Sequence, residues 1–235
     1  MDGEKLSRRL MTVAQYVKNG SRMADIGSDH GYLPIYLARQ GQINFAIAGE
    51  VAMGPLSNAE HEIKMANLTD KIMPRLADGL AAIKADDDVD TITIAGMGGS
   101  LIARILEAGK ERLSHFPELI LQPNVDEIDV RKWLMAHQYQ IIHEDILKED
   151  HHIYEIIDAV RADRAVHYSA KELLFGPILM HHQNAAFNEK WHDKIDRLKH
   201  AIKQMQGAKV PPVARIDALQ AEINLIQEVL SDERN

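Results

Sequence analysis

The stretch MADIGSDHGYLPIYLAR, residues 23–39, places two carboxylates beside two glycines where an apolar strand turns into a helix. Turns of this kind usually hold a phosphate at the helix N-terminus, but Asp25 and Asp29 would repel one, and the G-x-G-x-x-G spacing is missing. The acids instead suit a cationic ligand such as S-adenosylmethionine, which carries an ammonium and a sulfonium. Gly27 would let the backbone approach that ligand, and Asp25 would hold its amino group directly or through water. An Asx-turn or N-cap explains Asp29 alone equally well.

Further candidate ligands follow the next three predicted strands. Glu50 ends the second strand, where an acid accepts hydrogen bonds from both ribose hydroxyls of a nucleoside. Asp78 follows the third strand and would accept from an adenine N6 amino group, although an ordinary Asp-Gly turn accounts for it as well. The glycines of IAGMGGS, residues 94–100, would leave only backbone at the bottom of the site, which lets ligand and substrate approach each other closely. All of these positions lie at strand carboxyl ends, where open α/β sheets bind ligands.

A pair of amides follows the fifth strand, in LILQPNV, residues 119–125. Pro123 restricts the preceding residue to an extended conformation, so we expect the amides of Gln122 and Asn124 to point into the same crevice. Such a pair can donate to and accept from the Watson–Crick edge of a base. A proline turn with a capping asparagine is the alternative.

Short apolar runs alternate with helical patterns over the first 140 residues, which predicts a parallel sheet with helices on both faces. After an N-terminal helix at 4–17, the predicted strands are Met23–Ile26, Phe45–Glu50, Ile72–Leu76, Thr91–Ala95 and Glu118–Gln122, and the predicted helices are 32–40, 54–67, 78–84, 98–109 and 126–137.

Two more strands are predicted at residues 140–147 and 153–160, with only KEDHH between them. A parallel crossover needs a dozen residues or more, so the last strand must run antiparallel to its predecessor. A parallel sheet that ends in an antiparallel hairpin is the sheet of class I S-adenosylmethionine-dependent methyltransferases. Dinucleotide dehydrogenases normally close with another parallel strand. The fold class is therefore α/β and Rossmann-like.

Heptad spacing of apolar residues dominates the remaining chain. It predicts helices around 195–205 and 216–230, separated by QGAKVPP at 206–212. We expect an antiparallel α-helical coiled-coil hairpin, which either protrudes to contact a partner or packs on the sheet. The predicted domains are residues 1–162 and 163–235.

The charge distribution permits RNA as a partner without requiring it. The net charge is −8. The predicted N-terminal helix nevertheless carries Lys5, Arg8 and Arg9, which can bind a polyanion locally. The absence of cysteine excludes disulfides and thiolate metal sites and fits a cytoplasmic protein. We expect no metal site and no membrane span, and the sequence makes no protein partner evident.

Five segments, DIGSDHGYLP, AIAGEV, IAGMGGSLI, LILQPN and EDHHIYEII, resemble in order the motifs of bacterial tRNA (adenine-22-N1)-methyltransferases. The resemblance covers essentially the whole chain and implies methyl transfer from S-adenosyl-L-methionine to N1 of one tRNA adenine. One departure is the pair His151–His152, where the family often has Gly-Lys. The cofactor site implied by the family includes Asp25, Gly27, Asp29, His30, Glu50, Asp78, Gly79, Met97 and Gly98; we add Tyr32 and Val51.

Methyl transfer requires mainly that the adenine N1, the methyl carbon and the sulfur are aligned, because N1 has an in-plane lone pair that attacks the methyl carbon directly. We expect Asn124, with Gln122, to orient the base, and Asp29 to stabilise the cationic product or take its N6 proton. Tyr32 is a candidate stacking surface, and the three basic residues of the N-terminal helix would hold phosphates. The alternatives are a class I methyltransferase acting on another RNA position or a small molecule, and a cofactor-binding RNA scaffold without catalysis. A nicotinamide dehydrogenase is more distant.

Overall fold

Seven of the predicted apolar runs pair into one sheet in the computed structural model, which describes residues 5–115 and 117–232. The spatial order is β3-β2-β1-β4-β5-β7-β6; the first five strands are parallel, and β7 is antiparallel to both of its neighbours. This confirms the predicted α/β class. The strands are β1 Ser21–Ile26, β2 Ile43–Glu50, β3 Ile72–Leu76, β4 Thr91–Met97, β5 Glu118–Pro123, β6 Tyr139–Glu149 and β7 His152–Arg161.

Eight α-helices occur in the described residues, and two layers of them cover the sheet. Val13, Leu33 and Ile63, from the first three helices, pack in one apolar cluster, whereas Ile102 and Leu134, from the next two, belong to another. None of these helices combines the length and the hydropathy needed to cross a membrane. The bounds are α1 Arg8–Tyr16, α2 Tyr32–Arg39, α3 Met53–Met65, α4 Gly99–Ala108, α5 Glu127–Ala136, α6 Ala170–Phe175, α7 Ala185–Gln206 and α8 Val213–Ser231.

The closing hairpin of the sheet turns more tightly than its sequence suggested. Glu149 pairs with His152, so only Asp150 and His151 form the loop, with φ of +47° and +65°. Two consecutive left-handed residues are the signature of a type I′ turn, whose twist matches that of the flanking strands. The hairpin confirms the predicted antiparallel ending.

One predicted helix, at residues 78–84, is wrong. The chain forms a 3-10 turn at Gly79–Ala82 instead, because Asp78 is extended and Gly79 has φ of +52°. Too few residues between Gly79 and the next 3-10 turn, at Ala85–Asp87, are therefore helical to form an α-helix.

The last two long helices, α7 and α8, form the expected hairpin, hereafter the helical arm. Leu198 and Ile202 of α7 pack with Ile223 and Ile226 of α8 in one cluster, which also contains Ile146 of β6. The base of the arm therefore packs on the sheet, which was one of the two alternatives. The sheet ends at Arg161 and α6 begins at Ala170, but the division at residue 162 stays a prediction.

A buried ion network joins the sheet, α5 and the helical arm. Arg131 is fully buried, and its Nε donates to Oε1 of Glu144 at 2.8 Å, while its Nη2 donates to Glu155. Lys190 of α7 donates to Glu155 at 2.7 Å and to Glu127. Although burial raises the pKa of Glu155, Lys190 and Arg131 hold it below its usual range. The network thus fixes α5, which follows directly on the predicted Asn124 loop.

Candidate active site

The loop between β1 and α2 is preformed by an unusual backbone. Gly27, Asp29, His30 and Gly31 all have positive φ, at +71°, +43°, +70° and +70°. The Gly27 N–H donates to the Gly49 carbonyl of β2 at 2.9 Å. Non-glycine residues persist in this conformation only where their surroundings impose it, and such strain clusters at ligand sites.

Asp25 anchors this loop from beneath. It is only 4% exposed, and its carboxylate accepts from Ser28 Oγ and from Thr93 Oγ1, each at 2.6 Å. Burial raises the pKa of Asp25. This arrangement favours contact with a ligand amino group through water over direct contact. Neither hydroxyl partner was predicted, although a buried threonine in the central strand TITIA is a recognisable signal.

Glu50 lies at the end of β2, directly under the same loop. It is 5% exposed, and Oε1 accepts the backbone N–H of Asp29 at 2.6 Å. Burial raises the pKa of Glu50, and the neighbouring charges of Asp25 and Asp29 raise it further. The structure thus brings the three predicted acids together. Val51 follows at 70% exposure and offers an apolar surface beside them.

The remaining predicted cofactor residues flank this centre. His30 and Tyr32 stack at 5.1 Å with their rings within 5° of parallel. Tyr32 also packs against the core, so packing accounts for this ring better than stacking on an adenine. Asp78 is exposed at the end of β3. It stays near Glu50 because the N–H of Ala77 donates to the Glu50 carbonyl at 2.8 Å.

The glycine-rich loop after β4 joins the cofactor side to the substrate side. The Met97 side chain covers Gly27 so closely that a Cβ on Gly27 would lie 2.1 Å from Met97 Cε. The Met97 carbonyl accepts the Asn124 N–H at 2.7 Å. A Cβ on Gly99 would lie 2.1 Å from the Asp126 carbonyl oxygen. This glycine therefore allows the loop after β4 to pack against the loop after β5. Gly98 precedes it as the N-terminal cap of α4.

The two predicted amides occupy different environments. Gln122 is fully buried. Its Oε1 accepts hydrogen bonds from the Gly96 N–H at 3.0 Å and from Arg9 Nη1. Its Nε2 donates to the Pro123 carbonyl and to Asn124 Oδ1. Asn124 is exposed, and its Nδ2 donates to the Gly96 carbonyl at 2.8 Å. The prediction that both amides face the crevice is therefore corrected. Gln122 has no exposed edge for a base and instead supports Asn124.

The three predicted basic residues near the N-terminus are also divided. Helix α1 begins at Arg8 and not at residue 4 as predicted, so Lys5 precedes the helix. Lys5 and Arg8 are exposed, as a phosphate-binding role requires. Arg9 instead turns its guanidinium toward Gln122 and the ring of Tyr154. Sequence patterns do not distinguish the two arginines, because both lie off the apolar stripe of the helix.

A groove of about 670 Å³ opens beside Asn124 and was not predicted. Its walls are the loop at 124–128, the hairpin turn with His151 and His152, and the face of α7 that carries Lys194 and Arg197. The histidine pair is exposed. The groove therefore connects the exposed amide with cationic side chains of the helical arm.

Comparison with known proteins relates this geometry to a family. The family model TrmK, described as tRNA (adenine(22)-N(1))-methyltransferase, matches residues 23–228. A Bacillus subtilis (strain 168) protein named tRNA (adenine(22)-N(1))-methyltransferase is 44% identical over 212 residues, which are 88% of this chain and 89% of that protein.

Two solved structures with bound ligands are also similar over nearly the whole chain. Sp1610 of Streptococcus pneumoniae, in complex with S-adenosyl-L-methionine, has a TM-score of 0.88 at 42% identity and covers 96% of this chain and 100% of its own. TrmK of M. capricolum, in complex with S-adenosyl-homocysteine, has a TM-score of 0.87 at 29% identity and covers 97% of this chain and 99% of its own.

Proposed function

Because the chain belongs to the tRNA (adenine(22)-N(1))-methyltransferase family, we propose that it transfers the methyl group of S-adenosyl-L-methionine to N1 of adenine 22 in tRNA. The observation that carries this proposal is the juxtaposition at the carboxyl edge of the sheet. Buried Glu50 lies under the strained loop 27–31, and Met97 joins that loop to the exposed amide of Asn124.

The residues at this edge fit the cofactor. Glu50 Oε1 accepts a backbone N–H, and in our proposal the same carboxylate also accepts from a ribose hydroxyl. Asp78 would accept from the adenine amino group, and Val51 would contact the ring. Asp29, whose side chain is 80% exposed, lies where it would attract positive charge. The bound cofactor supplies an electrophilic methyl carbon on a positively charged sulfur.

The substrate adenine must be held by its edge and kept free at N1. In our proposal Asn124 Oδ1 accepts from the N6 amino group, which leaves the N1 lone pair directed at the methyl carbon. Since N1 is hidden in a Watson–Crick pair, the base must be unpaired or extruded to reach this amide. The methylated ring is cationic, so the Asp29 carboxylate would stabilise it or accept its N6 proton.

The groove beside Asn124 is our candidate for the flanking nucleotides. His151, His152 and Arg197 line it beside Lys194, whose ammonium is paired with Glu222 at 3.1 Å, and in our proposal the helical arm extends the same surface to contact the shape of the tRNA. Lys5, which precedes α1, and Arg8, its first residue, would add phosphate contacts. In this proposal, His151 and His152 contact the RNA at the position where the family often has Gly-Lys.

We expect Glu50→Gln to raise the Kd for S-adenosyl-L-methionine at least tenfold, because hydrogen bonds to a charged group contribute about 1.5–3 kcal/mol. Burial raises the pKa of Glu50, so the wild-type carboxyl takes up a proton at a higher pH than an ordinary glutamate does. Cofactor affinity should therefore fall as the pH is lowered from neutral toward acidic values, beginning above the range in which an ordinary glutamate titrates. The glutamine variant should show a flatter profile.

Isothermal titration across this pH range measures both effects. Glu60→Gln is the matched control, since Glu60 is exposed on α3 and should leave the affinity unchanged. Equal affinities and equal pH profiles for wild type and Glu50→Gln would remove Glu50 from the cofactor site.

Methylation of unmodified tRNA transcripts tests the function itself. The protein is incubated with S-adenosyl-L-methionine labelled in the methyl group, and the product nucleoside is identified and mapped. We expect 1-methyladenosine at position 22 and no product from a transcript that carries guanine there. Label at another position, or on a small molecule, would support the alternative substrates. Cofactor binding without transfer would indicate a scaffold.

A further inference from the structure

Arg9 is the second residue of α1, yet its guanidinium lies against the ends of β4 and β5. Nη1 donates to Gln122 Oε1, and it would lie 3.5 Å from a Cβ built on Gly96. The guanidinium carbon is 5.4 Å from the centre of the Tyr154 ring, within the range of a cation–π contact. Three elements of the sheet therefore hold this side chain.

The backbone that carries Arg9 is equally constrained. The Glu149 carboxylate accepts the N–H of Arg8 at 2.6 Å and that of Arg9 at 2.9 Å. At the other end of the helix, the Tyr16 hydroxyl donates to Asp145 at 2.6 Å. Both acids belong to β6, so α1 is fixed to the closing hairpin. Arg9 is thus presented to Gln122 by a rigid support.

The direction of the Gln122 amide follows from two donors on one side, the Arg9 guanidinium and the Gly96 N–H, which donates to Oε1 at 3.0 Å. A guanidinium has donors only, so the atom that faces Arg9 must be Oε1, and Nε2 must then face the opposite way. There it donates to the Pro123 carbonyl at 2.8 Å and to Asn124 Oδ1 at 3.3 Å. Asn124 is held in turn because its Nδ2 donates to the Gly96 carbonyl.

We propose that Arg9 is a positioning residue, which acts with the Gly96 N–H to fix the orientation of the Gln122 amide and thereby holds Asn124 in the orientation that binds the target adenine. The inference rests on the proposed function. It separates Arg9 from Arg8, whose exposed side chain remains a candidate for phosphate contact. Arg9 also lies near buried Asp25, whose pKa it lowers against the larger effect of burial.

Steady-state kinetics of Arg9→Met tests this role, with Arg104→Met, a change of an exposed arginine on α4, as the matched control. We expect Arg9→Met to lower kcat about 10- to 100-fold, as a misplaced catalytic contact does. The KM for tRNA, the Kd for S-adenosyl-L-methionine and the salt dependence of tRNA binding should stay within about twofold. Arg104→Met should match the wild type in all of these values, whereas Arg8→Met, at a candidate phosphate contact, should change the KM for tRNA and the salt slope. Arg9→Lys keeps a donor and a charge and should recover part of kcat.

The relay through Gln122 is tested by adding Gln122→Met to Arg9→Met. The double variant should be no slower than the slower single variant, because residues that act through one contact are not additive. Multiplied losses, or an effect of Arg9→Met confined to the KM for tRNA or to cofactor affinity, would overturn the proposal.

A readout independent of activity separates failure of this inference from failure of the proposed function. In NMR spectra of the side-chain amides, the Gln122 and Asn124 NH₂ signals should shift in Arg9→Met and remain in place in Arg104→Met. Unchanged signals in Arg9→Met overturn the positioning role even if the wild type methylates tRNA. Shifted signals support it even if the wild type does not.

Discussion

Asn124→Ala is expected to lower kcat for tRNA methylation by about 10²- to 10³-fold while the Kd for S-adenosyl-L-methionine stays within about twofold. The reason is geometric. Asn124 is the exposed member of the amide pair and lies beside Met97, which covers the cofactor loop at Gly27. Removal of its side chain leaves the adenine N6 group without its acceptor and lets the reacting nitrogen leave the line of attack. Cofactor contacts are made by other residues.

Two further variants sharpen this prediction. Asn124→Asp keeps the acceptor oxygen but loses the donor to Gly96, so we expect an intermediate kcat. Asn19→Ala changes an exposed asparagine that precedes β1 at the opposite edge of the sheet, and it should match the wild type. Single-turnover methyl transfer at saturating cofactor measures the chemical step. A wild-type rate in Asn124→Ala would refute the orienting role.

Arg131→Met is expected to lower the free energy of unfolding by about 3–5 kcal/mol, the usual cost when one partner of a buried ion pair is removed. Arg131, Glu144 and Glu155 have fully buried side chains. Without the guanidinium, two carboxylates would be left in the interior. Lys190 would then neutralise only Glu155, which it contacts at 2.7 Å, and Glu144 would keep only backbone donors such as Ile178 N–H.

Urea denaturation at neutral pH measures this loss. Lys110→Met removes one partner of the surface pair Lys110–Glu107 and should leave the transition midpoint unchanged, since exposed pairs contribute little. If Arg131→Met moved the midpoint no further than Lys110→Met does, the network would have no role in holding α5 against the helical arm.

Much of the fold could be predicted because its determinants are local. The short KEDHH connection excludes a parallel crossover, and the hairpin of β6 and β7 confirms this. Heptad spacing identified α7 and α8 in the same way, because apolar periodicity reports directly on a buried helix face. The helix predicted at 78–84 is wrong for the converse reason. Its apolar pattern is short, and the backbone of Asp78 and Gly79 decides the turn.

The site could be predicted in outline only. Asp25, Glu50 and Asn124 were found because strand ends meet at one edge of a parallel sheet, a property of topology. Which face of a strand end or helix a side chain occupies depends on tertiary packing. Gln122 and Arg9 were both expected to contact ligand or RNA for this reason, and each is turned inward.

The buried ion network could not be predicted from sequence patterns. Its members come from α5, the hairpin and α7, and each alone is an ordinary charged residue on a strand or helix. Charged residues are rarely fully buried unless paired, so Arg131 and Glu155 would be assigned to the surface until their partners are known. The mutual burial of these groups is visible only after the elements have been packed.

The central claim is that the acids at the carboxyl edge of the sheet receive a cationic, sulfur-containing nucleoside. Calorimetric titration of the wild-type chain with S-adenosyl-L-methionine and, separately, with NADH tests it most directly. We predict saturable heat with S-adenosyl-L-methionine and no detectable binding of NADH. Tight binding of NADH, together with no heat from S-adenosyl-L-methionine, would contradict the account.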